Sequence, residues 1–176
     1  MAPLILRREV AADRDAARAV QAAAFPTPEG ADEPIEAGLL DALRGCEGWV
    51  PALSWVAELD GQIVGHAVAT RSPDSHQQRG GVGLGPIAVR PDLQRSGVGS
   101  ALMHAMIGAA DALDEPFIAL LGDPDYYRRF GFVASSELGI DPPDPAWGHY
   151  FQALPLASWD PAFARPFTYA APFDEL

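Results

Sequence analysis

The sequence predicts an α/β protein formed by one domain over residues 1–176, and three observations predict it. Strand-like and helix-like segments alternate along the chain. Two apolar runs surround Asp60-Gly61, a dipeptide favoured in hairpin turns. A strand, a glycine-rich loop and a helix follow one another near the middle of the chain. Since 176 residues with 48% hydrophobic content make one ordinary core, a second domain is not expected.

The first half of the chain predicts a strand, two helices and a hairpin. The second helix is expected to end at Gly45, a residue typical of helix stops. The hairpin follows from Asp60-Gly61, because both central residues of this turn need positive φ. In order, the predicted ranges are 4–9 for the strand, 13–25 and 34–45 for the helices, and 54–70 for the hairpin.

The second half predicts a loop, then strands and helices in alternation. Gly85-Pro86 interrupts the strand at 82–89, so a bulge or a sheet edge is expected there, since proline donates no ladder hydrogen bond. From Gly97 to Leu113 apolar residues recur at helical spacing. Gly131 is expected to end a brief helix before another strand begins at Phe132. The predicted ranges are 71–81 (loop), 82–89 (strand), 97–113 (helix), 116–122 (buried strand), 123–130 (helix) and 150–156 (late strand).

Composition excludes several function classes. The chain has 12 basic residues, all arginine, against 24 acidic ones, so lysine Schiff-base chemistry and a Walker loop are excluded. The lone Cys46 excludes an intramolecular disulfide and a multi-cysteine metal site, and the four histidines lack metal-ligand spacing, so no metal is expected. The start is too short for a secretory signal, and no run reaches membrane-spanning length. We expect a soluble cytoplasmic protein that binds neither nucleic acid nor membranes.

The glycine-rich stretch at 94–100, "QRSGVGS", predicts an anion site at a helix start. Free backbone N–H groups and the helix dipole favour negative charge there, and Gly97 and Gly99 let the backbone approach a ligand closely. Formal charge is −6 over residues 1–70, −1 over 71–129 and −5 over 130–176, so the loop lies in the least acidic segment. Backbone donors, supplemented by Arg90 and Arg95, are expected to hold the anion.

The order of these motifs resembles the GNAT N-acetyltransferase family. In that family a strand ending in apolar-x-Val-x-Pro leads into Gln/Arg-x-x-Gly-x-Gly/Ala, as "IAVRP" and "QRSGVG" do here. An aromatic pair before Gly-Phe follows as "YYRRFGF", and Gly-Asp-Pro at 122–124 is similar to a bacterial subgroup with a Gly-Asp-Pro-x-Tyr-Tyr element. The specific motifs span 84–133. The resemblance implies a central mixed, mostly antiparallel sheet flanked by helices, in a single N-acetyltransferase domain.

The resemblance also implies site roles. Acetyl-CoA is the expected co-substrate and a small-molecule or peptide primary amine the acceptor, which attacks directly in a ternary complex. Tyr127 is expected to protonate the departing thiolate, although it could also simply pack a short helix. The expected cofactor-binding residues are Ile87, Ala88 and Val89, which pair with the pantetheine arm, and Gln94, Arg95, Ser96, Gly97, Val98, Gly99 and Ser100, which hold the pyrophosphate.

The general base stays open, because the family's strand glutamate has no counterpart in "GLGPIAV". Glu58, His66, Asp123 or a water molecule could take the proton. Asp123 ranks first because it ends a strand beside Tyr127, although Asp123-Pro124 also reads as a helix N-cap with proline at the first helical position. A non-catalytic acyl-CoA-binding module is the alternative function, favoured by the missing glutamate and opposed by Tyr127.

The C-terminal extension, about 141–176, is rich in proline and aromatic residues. So many aromatic side chains argue against disorder. We expect this extension to wrap the body, where it lines the acceptor pocket or forms the subunit contact of a homodimer. The acidic flanks of the chain predict that protonated amines are favoured as acceptors over anionic ones.

Overall fold

The computed structural model describes residues 3–73 and 80–175. The predicted loop at 71–81 and its His76 lie mostly outside this range. Seven strands form the sheet: β1 Ile5–Arg8, β2 Trp49–Leu59, β3 Gln62–Arg71, β4 Val82–Val89, β5 Phe117–Leu121, β6 Val133–Ala134 and β7 Phe151–Pro155. Four α-helices are present over the described residues: α1 Arg14–Ala24, α2 Ile35–Arg44, α3 Val98–Ala112 and α4 Pro124–Tyr127. Short 3₁₀ turns occupy Ala11–Asp13, Pro91–Leu93, Arg128–Phe130, Ser135–Leu138, Pro145–Tyr150, Pro161–Phe163 and Ala171–Glu175.

The strands make one mixed sheet in the order β1-β2-β3-β4-β5-β7-β6. Every neighbouring pair is antiparallel except β4 and β5, which are parallel. This arrangement confirms the predicted mixed, mostly antiparallel sheet flanked by helices. In the described ranges no helix is long and apolar enough to cross a membrane.

Helices cover both faces of the sheet. The helix α3 packs against β2, β3 and β4 on one face, while α1 and α2 pack together on the other. The period-2 alternation of strand side chains divides the core between the two faces. Thus Ala57 joins the cluster that contains Leu102 and Met106 of α3, whereas its neighbour Val56 joins Leu40 and Leu43 of α2.

The C-terminal extension forms a third packed cluster, which confirms that it is ordered. Phe167 and Tyr169 are buried, and their rings meet edge to face with centroids 5.0 Å apart. The Tyr169 ring lies so close to β4 that a Cβ on Gly83 would be 2.6 Å from it. Glycine at this strand position therefore makes room for an aromatic side chain brought from the end of the chain.

The turn predictions are confirmed. Asp60 and Gly61 both have positive φ, as the hairpin turn requires. The register between β3 and β4 shifts between Ala67 and Ala69, opposite Gly85-Pro86, which is the expected bulge. Gly131 ends the helical stretch with φ 94°. The strand expected from Phe132 is present as β6, which begins one residue later and contains only two residues.

Candidate active site

A gap opens in the sheet between β4 and β5. These parallel strands pair only at Val82 and Gly83, opposite Ile118 and Ala119, and no β5 residue pairs with β4 beyond Gly83. On its other edge, β4 stays paired with β3 as far as Val89. The sheet therefore presents a free β4 edge just where the bulge bends the strand.

The free edge directs two backbone N–H groups, those of Ile87 and Val89, into the gap. The Arg90 N–H donates to the Val64 carbonyl of β3 over 2.8 Å. Because successive residues of a strand direct their N–H groups to opposite edges, the N–H groups of Val89 and Ile87 point away from β3. They are available to a ligand lying along β4.

The glycine loop that follows β4 has two glycines with different functions. Gly97 has φ 97°, in the left-handed region that side chains disfavour, and a Cβ there would meet nothing within 4 Å. Gly99 lies inside α3, and a Cβ on it would sit 3.0 Å from the Tyr126 hydroxyl. Gly97 is thus needed for its left-handed backbone conformation, and Gly99 is needed because the Tyr126 hydroxyl lies close to the helix. The sequence alone predicted that both glycines allow close approach to a ligand.

These elements surround a cavity of about 860 Å³, here called the glycine-loop cavity. The first amides of α3 open into it without intrahelical partners. Its lining residues are Ile87, Ala88, Val89, Gln94, Arg95, Gly97, Gly99, Ser100, Gly122, Asp123, Asp125, Tyr126, Tyr127 and Arg129.

Two predicted cofactor-binding residues do not line this cavity with their side chains. Val98 is buried in the core, and the Ser96 hydroxyl donates to the Leu93 carbonyl. Arg90, expected to supplement the anion site, instead binds Asp92 with N–O distances of 2.7 and 3.0 Å. Arg129, which was not predicted to belong to the anion site, lines the cavity, whereas Arg90 does not. The groups of this cavity that could bind an anion are therefore backbone N–H groups and the guanidinium groups of Arg95 and Arg129.

Tyr127 stands at the end of the gap. Its ring packs against Tyr126 and Phe132, with centroid distances of 4.9 and 5.8 Å. Burial, together with the nearby Tyr126 phenol, raises the pKa of the Tyr127 hydroxyl to about 12. The hydroxyl therefore stays protonated at neutral pH, as a proton donor must.

The Gly-Asp-Pro stretch before the tyrosines positions Tyr127. A Cβ on Gly122 would be 2.4 Å from the Tyr127 ring, so only glycine leaves room for it. The Asp123 carboxylate accepts from the Asp125 N–H over 2.9 Å, and Pro124 occupies the first helical position. The expected capping role of Asp123 is confirmed, and its carboxylate also lines the glycine-loop cavity.

A second cavity, of about 850 Å³, lies on the other side of Tyr127 and is called here the aromatic cavity. Ile87 and Tyr127 are the residues that line both cavities. The remaining lining comes from α1, α2, β4, β5 and the C-terminal extension. It comprises Phe25, Ile35, Glu36, Leu39, Leu84, Gly85, Pro86, Leu120, Leu121, Pro142, Pro143, Trp147, Pro166, Phe167, Thr168, Tyr169, Phe173 and Asp174.

Two other candidate bases lie away from both cavities. The Glu58 carboxylate accepts from the Arg7 guanidinium over 2.9 Å, and Arg7 also binds Asp13. His66 is fully buried in β3. Among residues 3–73 and 80–175, no group of three or more His, Cys, Asp and Glu side chains could hold a metal ion.

His66 belongs to a buried polar network that the sequence analysis did not foresee. Its Nε2 contacts Glu9 at 3.2 Å and Ser54 at 3.1 Å, while its Nδ1 lies 2.9 Å from the Gln21 amide nitrogen. Glu9 also binds Arg44 and the Ser54 hydroxyl. Burial lowers the pKa of His66. Burial also opposes ionisation of Glu9, but hydrogen bonds from His66 and Ser54 outweigh this effect and lower the pKa of Glu9 to about 2. The network ties α1 and α2 to the sheet behind the bulge.

Comparisons with known proteins agree with this architecture. Residues 51–134 match the family model described as an acetyltransferase (GNAT) domain. The uncharacterized N-acetyltransferase YjhQ of Escherichia coli strain K12 is 34% identical over an alignment of 119 positions, which covers 62% of this chain and 62% of YjhQ. The chain therefore spans less than two thirds of that relative.

Solved structures extend the likeness to the whole chain. A GNAT family acetyltransferase from Brucella melitensis, in complex with acetyl-CoA, is 30% identical with a TM-score of 0.75, over 99% of this chain and 100% of that one. The GNAT family N-acetyltransferase YhbS from Escherichia coli, in complex with CoA, is 23% identical with a TM-score of 0.81, over 99% and 93%. At that identity YhbS supports the fold alone.

Proposed function

Since the chain belongs to the GNAT acetyltransferase family and is by that membership an acyltransferase, we propose that it transfers acetyl from acetyl-CoA to a primary amine by direct attack in a ternary complex. One observation carries this proposal: two cavities of similar size meet at Ile87 and Tyr127. A co-substrate can approach this meeting point from one side and an acceptor from the other.

The glycine-loop cavity is the proposed acetyl-CoA site. Backbone amides from Gln94 to Ser100 would hold the pyrophosphate, and Arg95 and Arg129 would contact phosphate oxygens. The free edge of β4 from Ile87 to Val89 would pair with the pantetheine arm as a neighbouring strand does. These groups suit a long, flexible, anionic ligand in an acidic protein, because most donors are backbone amides.

Acetyl-CoA supplies an activated acyl group as a thioester. We place the Val89 N–H at its carbonyl oxygen, where a fixed donor stabilises developing negative charge. The amine nitrogen forms the new C–N bond as the C–S bond breaks, and the sulfur takes the Tyr127 proton. The acetylated nitrogen loses one proton, which restores Tyr127 directly or through water, so the products are an amide and a thiol. Asp123 remains a proposed relay for that proton.

The C-terminal extension is proposed to belong to the same domain as the motif region. Its strand β7 pairs along the full length of β5, and its aromatic residues line the aromatic cavity. This placement supports the pocket-lining role that was expected as one of two alternatives. A reducing compartment such as the cytoplasm suits a chain with the single Cys46.

An acyl-CoA-binding module without catalysis is the competing function, because β4 carries no carboxylate over Val82–Val89. Isothermal titration with acetyl-CoA, followed by a thiol-release assay over a panel of amines, separates the two. We expect both binding and turnover. Binding without release of CoA on any amine would leave the binding module, and absence of binding would reject both.

A further inference from the structure

The charged side chains of the aromatic cavity are all acidic. Within the described parts of the chain, Glu36 and Asp174 are the charged residues of its lining, and no arginine reaches it. Glu36 lies in the first turn of α2, and Asp174 lies in the 3₁₀ turn Ala171–Glu175 that packs against α2. Two carboxylates from opposite ends of the sequence thus reach the same cavity.

These carboxylates differ from eight other acidic residues of the protein, which are held by arginines. Glu9, Asp13, Glu33, Asp41, Glu58, Asp92, Glu115 and Asp125 each pair with a guanidinium. Over residues 3–73 and 80–175, neither Glu36 nor Asp174 is seen in an ion pair or a side-chain hydrogen bond. Their charge is uncompensated within the cavity, which favours a cationic ligand.

The rest of the cavity lining is mostly apolar. Phe25, Trp147, Phe167, Tyr169 and Phe173 contribute aromatic rings. The Phe173 ring stacks at a tilt on Tyr169, with centroids 4.5 Å apart, and neighbours Asp174 in sequence. Aromatic faces favour both apolar groups and cations. The volume of about 850 Å³ lies in the range of small-molecule sites.

We infer that the aromatic cavity selects a small primary amine with an apolar or aromatic body, whose ammonium group is recruited by Glu36 and Asp174. This inference rests on the proposed function, since it names the acceptor class of the same site. The rings enclose the body of the molecule, and the carboxylates attract its cationic end. Once the ammonium has passed one proton to solvent water, the neutral nitrogen can approach Tyr127. An acidic amine would meet two uncompensated carboxylates and be rejected, and an aliphatic diamine would bury less apolar surface against the rings than an aromatic amine does.

The test compares three amines in the thiol-release assay: 2-phenylethylamine, 1,4-diaminobutane and glutamate. We expect kcat/KM to be highest for 2-phenylethylamine. In the double variant Glu36→Gln, Asp174→Asn, KM for that amine should rise about tenfold or more, as for loss of hydrogen bonds to charged groups. The control is the double variant Glu29→Gln, Glu175→Gln, which removes the same net charge from exposed residues outside the cavity lining and should leave KM unchanged.

Acetyl-CoA affinity, measured by titration, keeps the outcomes distinct. Unchanged affinity in both double variants shows that they are folded. An equal rise of KM in both would mean that overall charge, not these carboxylates, recruits the amine. A preference for glutamate or 1,4-diaminobutane overturns the inference while leaving the proposed function standing. Absence of turnover on every amine, with acetyl-CoA still bound, rejects the proposed function itself.

Discussion

The two cavities on either side of Tyr127 are similar in size but are built in opposite ways. The glycine-loop cavity is lined by residues from two short stretches, 87–100 and 122–129, and in the proposed function it binds acetyl-CoA through backbone amides. The aromatic cavity is lined by side chains from scattered positions between Phe25 and Asp174. In the proposed function, two local stretches therefore bind the co-substrate, while side chains assembled from distant parts of the sequence select the acceptor.

The largest effect is expected where the cavities meet. Tyr127→Phe removes one hydroxyl and leaves the ring that packs on Tyr126 and Phe132. We expect kcat to fall about 10²-fold, the usual share of general acid catalysis, with acetyl-CoA affinity unchanged. Pre-steady-state thiol release, together with titration of acetyl-CoA, measures both quantities.

The matched control is Tyr150→Phe, because Tyr150 is exposed and lines neither cavity. It should retain the wild-type rate. An undiminished chemical step in Tyr127→Phe would mean that Tyr127 only packs, and the two cavities would then share a wall without sharing a catalytic group.

The contrast between the cavities also explains what the sequence could predict. Asp60-Gly61, Gly97 and Gly131 set their own backbone conformations, so the hairpin, the loop before α3 and the end of the short helix were predicted from neighbouring residues. The β4–β5 gap was not predicted, because it depends on how far two strands distant in sequence stay paired.

Side chains that act through distant contacts were predicted least well. No motif near Glu36 in the sequence indicates a ligand site. Its neighbour Ile35 is an exposed apolar residue at the start of α2. The pairing of Glu9 with His66 joins residues 57 positions apart. A hydrophobic pattern identifies His66 as a strand residue, but only packing shows that its ring is enclosed and lines neither cavity.

The second prediction separates conformation from close approach in the glycine-loop cavity. Gly99→Val would place a side chain against the Tyr126 hydroxyl and in the path of the phosphates, and Gly97→Val would strain a left-handed residue. Each should weaken acetyl-CoA binding about tenfold, as for loss of one charge-assisted hydrogen bond. Isothermal titration measures the affinity, and circular dichroism checks the fold.

Gly108→Val is the control on the same helix, since a Cβ there would meet nothing within 4 Å. It should bind acetyl-CoA as wild type does. If both loop variants also bind normally, the backbone cradle is assigned to the wrong place, and the ligand must enter elsewhere along the β4 edge.

The third prediction uses salt to compare the charges of the two cavities. The aromatic cavity has two uncompensated carboxylates, whereas the lining of the glycine-loop cavity contains both Arg95 and Arg129 and Asp123 and Asp125. For a cationic amine, kcat/KM should fall about threefold as ionic strength rises past about 0.1 M, where the Debye length is about 10 Å. The acetyl-CoA KM at saturating amine should change less. Salt-independent rates for cationic amines would show that aromatic contacts alone recruit the acceptor.

The smallest expected effect concerns the pH dependence of the rate, and it tests Tyr127, which lines both cavities. A tyrosine acid works while protonated, so its contribution is lost as pH rises through its pKa. An ordinary tyrosine, with a pKa of about 10, would be half ionised at pH 10 and would halve the rate. Because burial between the two cavities raises the pKa of Tyr127 to about 12, kcat/KM for acetyl-CoA, which at saturating amine reports groups of the enzyme–amine complex, should show no falling limb up to pH 10. The profile should be recorded at saturating amine, with circular dichroism confirming the fold at each pH. A fall to half the plateau value at pH 10 in a folded enzyme would mean that Tyr127 is solvated as an ordinary surface phenol is, and the two cavities would then be open to each other through water instead of being separated by its ring.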